Sequence, residues 1–285
     1  MNKDILSALS AGMSAFSKGQ RAIANFILAR YDEAAFMTAG RVAAAAGVSE
    51  STVVRFAVEL GFDGYQQMQR GLQEVIRNRL TTAQRVGVTQ SRLEGQDLLR
   101  TVMLADTEKI RATLENLDRA AFDSVVDAIV SARNVYVVGI RSASALSGFL
   151  AFYLNMIREN VRLVSASAMS ETIEQVMRIS CDDAVIGISF PRYSRRTVRA
   201  MKYARERGAT VIALSDSPDS PLCQTASHSL LAKCDTSLFL DSLVAPLSLI
   251  NALIAAVGLR NSGELSETMR RLEDLWGYYE VYQHD

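Results

Sequence analysis

The chain has few of the residues that build metal and redox sites. Its 285 residues include three cysteines and two histidines. Cys181, Cys223 and Cys234 are odd in number and form no CxxC pair. With only His228 and His284 to add, a zinc cluster lacks ligands at a workable spacing. No metal and no cofactor is expected. Such thiols suit a reducing cytosol. An excess of charge is also missing, since 31 basic residues balance 31 acidic ones. The whole-chain field therefore draws the protein neither to nucleic acid nor to an acidic membrane, and anion binding must come from a local surface. Long apolar runs are scarce. The longest, about 243–259, contains Pro246, Ser248 and Asn251 and reads as a buried helix, not a membrane span. The opening MNKDILSALS has no apolar core before a cleavage site, so no signal peptide is expected and the cytoplasm is the expected compartment.

What is present fits two domains. Hydrophobic residues make up 49% of the chain, enough for ordinary cores. Up to about Arg79 the pattern is helical, with Ser17 as an N-cap and Ile23, Phe26 and Ile27 at helical spacing. Residues 80–95 lose periodicity and gather Thr, Gly and Ser, as a linker does. Helical patterns return at Asp97–Leu117 and Phe122–Ala132. Five short apolar segments then alternate with helices: Asn134–Ile140, Val161–Val164, Ala184–Ser189, Thr210–Leu214 and Ser229–Ala232. Strands alternating with helices imply βαβ units and a parallel sheet, and runs such as VYVVGI fit a sheet covered on both faces. A helix at about Asp241–Leu259 precedes a tail with Leu272, Leu275, Trp276 and Tyr279, whose stripe suits either a subunit interface or packing on its own domain. The expected fold is an all-α helix-turn-helix domain (1–79), then a linker and the start of a connecting helix (80–105). An α/β three-layer domain with a five-stranded parallel sheet follows (106–260), and then a tail helix (261–285).

Thr38–Leu60 reads as two helices around a glycine turn. Thr38 caps the first, Gly47 tolerates the positive φ of a tight turn, and Ser49 caps the second. On that second helix Val53, Phe56, Ala57 and Leu60 share an inward face, with Ser51, Thr52 and Arg55 opposite. A recognition helix needs small polar groups at its N-terminus and an apolar back. Arg55 reaches a guanine or a phosphate, and Glu50 either accepts from a cytosine or simply favours its helix N-terminus. A plain helical hairpin has the same pattern. Charge does not decide, because residues 1–80 hold nine basic against seven acidic residues.

Two strand ends are rich in donors. VVGIRSAS offers Gly139, Arg141, Ser142 and Ser144. GISFPRYSRRT offers Ser189, Arg192, Ser194, Arg195, Arg196 and Thr197. In open parallel sheets, ligands bind beyond the carboxyl ends of the strands, and helix N-termini there bind phosphate or carboxylate. Ser142 and Ser194 also suit plain helix caps. From Arg192 to Arg207 seven basic residues meet one acid, Glu206. Cations in a first helical turn oppose the dipole, and an anionic ligand offsets that. Glu171 and Glu174 are the acids nearest this edge, and both suit the first turns of their own helix. His228 looks structural. No catalytic residue is assigned.

The segment AAAAGVSESTVVRFAVELGFDGYQQMQRGL resembles the N-terminal domain of the RpiR/MurR family of sugar-responsive regulators, through its GVS turn, TVVRF stretch and LGF-x-GY run. Asp106–Arg260 resembles a sugar isomerase (SIS) domain. The resemblance implies operator DNA facing Thr38 and Ser49–Arg55. It also implies a phosphosugar or sugar-acid effector held by Ser142, Ser144, Ser189, Ser194 and Thr197. Arg141 and the FPRYS loop depart from the usual small-residue pattern and point to a more acidic ligand. A homodimer or homotetramer is expected, because such regulators read paired half-sites. Two other readings stay open: an active phosphosugar isomerase with an accessory helical domain, and a DNA-binding protein whose sheet domain only assembles.

Overall fold

The computed structural model describes residues 5–79, 97–165, 168–234 and 240–282, with isolated positions between 80 and 96. The expected linker, 80–95, therefore lies almost wholly outside the described residues. The chain divides into two compact units, with the break between Asp97 and Leu98.

The first unit is helical: α1 (Ile5–Gly12), α2 (Lys18–Ala29), α3 (Tyr31–Ala34), α4 (Ala39–Ala46), α5 (Glu50–Glu59) and α6 (Tyr65–Arg79). Ser17 starts α2 through a reciprocal cap. Its hydroxyl accepts from the Gln20 N–H, and the Gln20 side chain accepts from the Ser17 N–H at 2.7 Å. The core gathers Leu9, Ile23, Ile27, Val42, Val53, Phe56, Met68 and Leu72, and the Phe16 and Phe56 rings meet edge-on with centroids 5.0 Å apart. One edge of α6 is tied down by side chains. The Tyr65 hydroxyl and the Gln69 amide both donate to the Met37 carbonyl at 2.7 Å, and Gln73 donates to Ala35. Burial pushes the Tyr65 hydroxyl up to about 12, which keeps it a donor across the physiological range.

The second unit opens with α7 (Leu98–Glu115), close to the helix expected at Asp97–Leu117, and α8 (Arg119–Ser131). The alternating part follows: β1 (Val135–Gly139), α9 (Ala143–Ile157), β2 (Val161–Val164), α10 (Met169–Val176), β3 (Ala184–Ile188), α11 (Arg195–Glu206), β4 (Thr210–Ser215) and β5 (His228–Leu231). Two helices end it, α12 (Val244–Arg260) and α13 (Ser262–Tyr278). The five strands are all parallel, in the order β2-β1-β3-β4-β5. Successive side chains point to opposite faces, so each buried strand feeds two cores. Val135, Val137, Ile186, Ile188, Ile212 and Leu214 pack with α8, α9 and α12 on one face. Tyr136, Val138, Val185, Val211 and Ala213 pack with α10 and α11 on the other. This gives the expected three layers.

Element ends shift slightly from the sequence reading. β5 starts one residue early, at His228, because its ladder to β4 begins with Ile212 opposite His228. α12 starts at Val244 instead of Asp241, which puts Pro246 at its third position, where the missing N–H has no intrahelical partner anyway. No single helix among the described residues is long and apolar enough to cross a membrane.

Candidate functional site

In the helical unit, the turn between α4 and α5 is built as its residues dictate. The Thr38 hydroxyl accepts from the Arg41 N–H at 3.3 Å and caps α4. Gly47 closes that helix in the left-handed region (φ 69°). The Ser49 hydroxyl accepts from the Thr52 N–H at 3.3 Å, and it lies within 2.9 Å of the Ser51 hydroxyl and 2.8 Å of the Thr52 hydroxyl. The first turn of α5 thus presents a cluster of hydroxyls. Val53, Phe56 and Ala57 are fully buried beneath it, while Leu60 is only half-buried. Ser51 and Arg55 are exposed, and Thr52 is half-buried. Glu50 leans back on α4, with its carboxylate 3.0 Å from where a side chain on Gly40 would begin. Gln20 on α2 bonds Glu59 near the far end of α5.

Two residues on this face escaped the sequence reading. Val54 and Val58 are exposed by 39% and 54%, beside Arg55. Their signal was available, because positions 51, 54, 55 and 58 share one helical side. Apolar groups there suit contact with thymine methyls.

In the sheet unit, β1 and β3 are neighbours, with Gly139 opposite Ile188. Their following loops therefore leave the same sheet edge from strands about 4.8 Å apart. After β1, Arg141 adopts φ 61°, in the left-handed region. The Ser144 hydroxyl donates to the Arg141 carbonyl at 2.6 Å. Ser142 is exposed at the start of α9 and makes no side-chain cap bond there. Gly139 is required by close approach, since a Cβ would stand 2.6 Å from the Ala143 carbonyl oxygen and 2.9 Å from Ser147. Ser147, missed by the sequence reading, is buried and donates to the Gly139 and Ser144 carbonyls.

After β3 the buried Ser189 hydroxyl accepts from the Ser194 N–H at 3.0 Å, and Ser215 at the end of β4 donates to the Ser189 carbonyl at 2.9 Å. The Tyr193 hydroxyl donates to Asp216 at 2.8 Å, which anchors the FPRYS loop to the β4 end. Between these anchors Arg192 is exposed and again left-handed, at φ 64°. Ser194 caps α11 through the Thr197 N–H at 3.3 Å. Thr197 is fully buried, yet its hydroxyl has no hydrogen-bond partner among the described residues. A buried unpaired hydroxyl costs about 1–3 kcal/mol. A left-handed non-glycine residue costs roughly 1–2 kcal/mol. Two of the four such residues among those described are Arg141 and Arg192. Strain and an unmet polar group thus gather at one sheet edge, as they do at binding sites.

The flanking charges sort themselves along α11. Arg195, Arg199 and Lys202 are exposed on successive turns. Nearer its C-terminus, Arg205 donates to the Thr225 carbonyl at 2.8 Å and Arg207 sits over the Tyr203 ring. Glu171 accepts from the Ala168 N–H at 3.1 Å and caps its own helix, as its position allowed. Glu174 is exposed. His228 is half-buried in β5, and His284 lies outside the described residues. In the tail, Leu272 and Trp276 are half-buried, whereas Leu275 and Tyr279 are exposed. A cavity of about 320 Å³ beside β5, lined by Asn116, Pro218 and Leu230 among others, contains none of the expected site residues.

A helix-turn-helix unit, followed in one chain by a parallel sheet with a hydroxyl-rich and arginine-rich carboxyl edge, is the make-up of a DNA-binding regulator with a ligand-sensing domain. The comparisons give the family. Residues 3–79 match the helix-turn-helix domain of the rpiR family, and residues 128–256 match the SIS domain. The sugar isomerase domain of an RpiR transcription factor from Sphaerobacter thermophilus is 30% identical, with a TM-score of 0.60 over 63% of this chain and 99% of that one. The NanR protein of Vibrio vulnificus, solved with ManNAc-6P, is 20% identical and shares the fold over 98% of this chain and 100% of its own, with a TM-score of 0.61. The chain belongs to the rpiR family of helix-turn-helix transcription regulators. Membership makes it a regulator and sets aside the reading as an isomerase.

Proposed function

We propose that this regulator controls a carbohydrate catabolic operon and that a phosphosugar bound at the β1 and β3 strand ends sets its DNA affinity. The buried, partnerless Thr197 hydroxyl at the start of α11 carries the ligand half of this reading, because it marks a donor held ready for an anion at a helix N-terminus. Arg141, Ser142, Ser144, Ser189, Arg192 and Ser194 complete the site. The ManNAc-6P bound by the Vibrio relative supports a phosphosugar. On this reading 1–79 binds DNA, 80–105 holds the linker and the start of a connecting helix, 106–260 binds the ligand, and 261–285 forms a tail helix. Thr38, Ser49, Glu50, Ser51, Thr52 and Arg55 face the operator, and the protein acts in the cytoplasm as a homodimer or homotetramer.

Regulation follows from population shift. The ligand favours one packing of the sheet domains and so changes how the DNA heads are presented, which requires that it bind the two states unequally. The test uses operator fragments obtained by in vitro selection, titrated with and without a phosphosugar found by thermal shift. DNA affinity should change at least about 5-fold, the low end of a typical coupling free energy. Arg55→Ala should weaken DNA binding by roughly 5- to 150-fold, the worth of one good base contact. Identical DNA affinity at saturating ligand would sink the reading.

A further inference from the structure

Arg141 stands two residues beyond the end of β1 and Arg192 four residues beyond the end of β3. Each follows one of two neighbouring strands, each is exposed, and neither makes an ion pair among the described residues. Both hold left-handed backbone, at φ 61° and 64°, where glycine or asparagine would sit with less strain. An arginine merely on the surface needs no such backbone, so strain kept at two of them together points to a use for their side chains. One phosphate is already provided for by the first turn of α11 and the unpaired Thr197 hydroxyl. Two further guanidiniums exceed what that phosphate needs, and a neutral sugar head offers them only hydroxyls. A guanidinium matches a carboxylate in geometry and charge.

We infer that Arg141 and Arg192 hold a second anionic group, and that the effector is a phosphorylated sugar acid, with phosphate at one end and carboxylate at the other. This rests on the phosphosugar-sensing reading and narrows its ligand class. The position of Arg195 in the first turn of α11 adds positive charge at the same edge, where the helix dipole already disfavours it. A trianionic ligand offsets that crowding better than a dianionic one.

The test is calorimetric titration of the full chain with matched pairs, an aldose 6-phosphate against the aldonic acid 6-phosphate, in the gluco, manno and galacto series. In at least one series the acid should bind about 10-fold tighter or better, the worth of one charge-assisted pair. Arg141→Gln or Arg192→Gln should erase that preference, weakening the acid about 10-fold more than the matched aldose phosphate. Arg141→Gly should lose the preference yet melt at or above the wild-type temperature, because glycine carries no penalty at that φ. That outcome separates lost recognition from lost folding. Aldose phosphates that bind as well as their acids would overturn the proposal and leave the sensor reading standing. So would arginine variants that weaken both members of a pair equally, since the arginines would then hold the phosphate. If no phosphorylated compound of either kind binds, both readings fall.

Discussion

At the amino ends of the strands, the buried Asp183 carboxylate accepts from Asn134 at 2.6 Å, from Arg133 at 3.2 Å, and from the Ser180 N–H and hydroxyl at 2.8 and 3.2 Å. At the carboxyl ends of the same sheet, Thr197 has a buried hydroxyl with no partner and two arginines hold strained backbone. The two edges share strands, register and core, so packing does not explain the difference. One edge has its polar groups paired to each other and acts as a bolt. The other keeps polar groups unmet, as a surface must if a ligand is to meet them.

The contrast predicts opposite responses to substitution. The largest effect falls on the bolt. Asp183→Ala should cost about 3 kcal/mol, because it removes a buried carboxylate that accepts from Asn134, from the Ser180 N–H and from the more exposed Arg133. By calorimetry the melting temperature should drop on the order of 10 °C. A pH series sharpens this. Burial pushes the Asp183 carboxyl up, but the bonds from Asn134, Arg133 and Ser180 outweigh it and hold the group below its ordinary value. A depressed folded value means stabilisation that is full above the unfolded value, about 3.9, and lost as pH falls through the folded one. Wild-type stability should therefore fall below about pH 4, and Asp183→Asn should flatten that acid limb.

Gly139→Ala comes next. The new Cβ meets backbone, which has little room to move, so about 1–3 kcal/mol is expected, with ligand binding weakened as the β1 loop shifts. Ser194→Ala removes the α11 cap for about 1 kcal/mol and should abolish the ligand-induced thermal shift. The smallest stability change belongs to Thr197→Val. Losing an unpaired buried hydroxyl should leave the melting temperature unchanged or slightly raised, whereas phosphosugar affinity falls about 10-fold. If Thr197→Val melts lower and binds ligand normally, the hydroxyl is structural and the contrast between the edges breaks.

Much of the fold was legible because its signals are local. Five apolar runs with helices between them mark five parallel strands, and Thr38, Gly47 and Ser49 cap and turn as their chemistry requires. The strand faces were not legible. A strand buried on both sides reads as uniformly apolar, so nothing in VYVVG says which residues join which core. The site residues were readable as types and not as roles. Ser142 and Ser194 look alike in sequence, yet Ser194 caps its helix and Ser142 makes no cap bond. Ser147 and Ser215 gave no signal at all, because the bonds from Ser147 to the Gly139 carbonyl and from Ser215 to the Ser189 carbonyl come from packing across elements or strands. Val54 and Val58 were passed over as part of an apolar run, until their exposure set them apart.

The sequence by itself determined the two-part order, the helix caps, the parallel α/β class and the two donor-rich loops, since propensity, capping and turn chemistry act over a few residues. Only the tertiary structure decided that those loops leave neighbouring strands, that Arg141 and Arg192 hold strained backbone, and that Thr197 is buried without a partner. Pairing, burial and strain depend on what residues far apart in the chain bring against each other, and no local pattern records that.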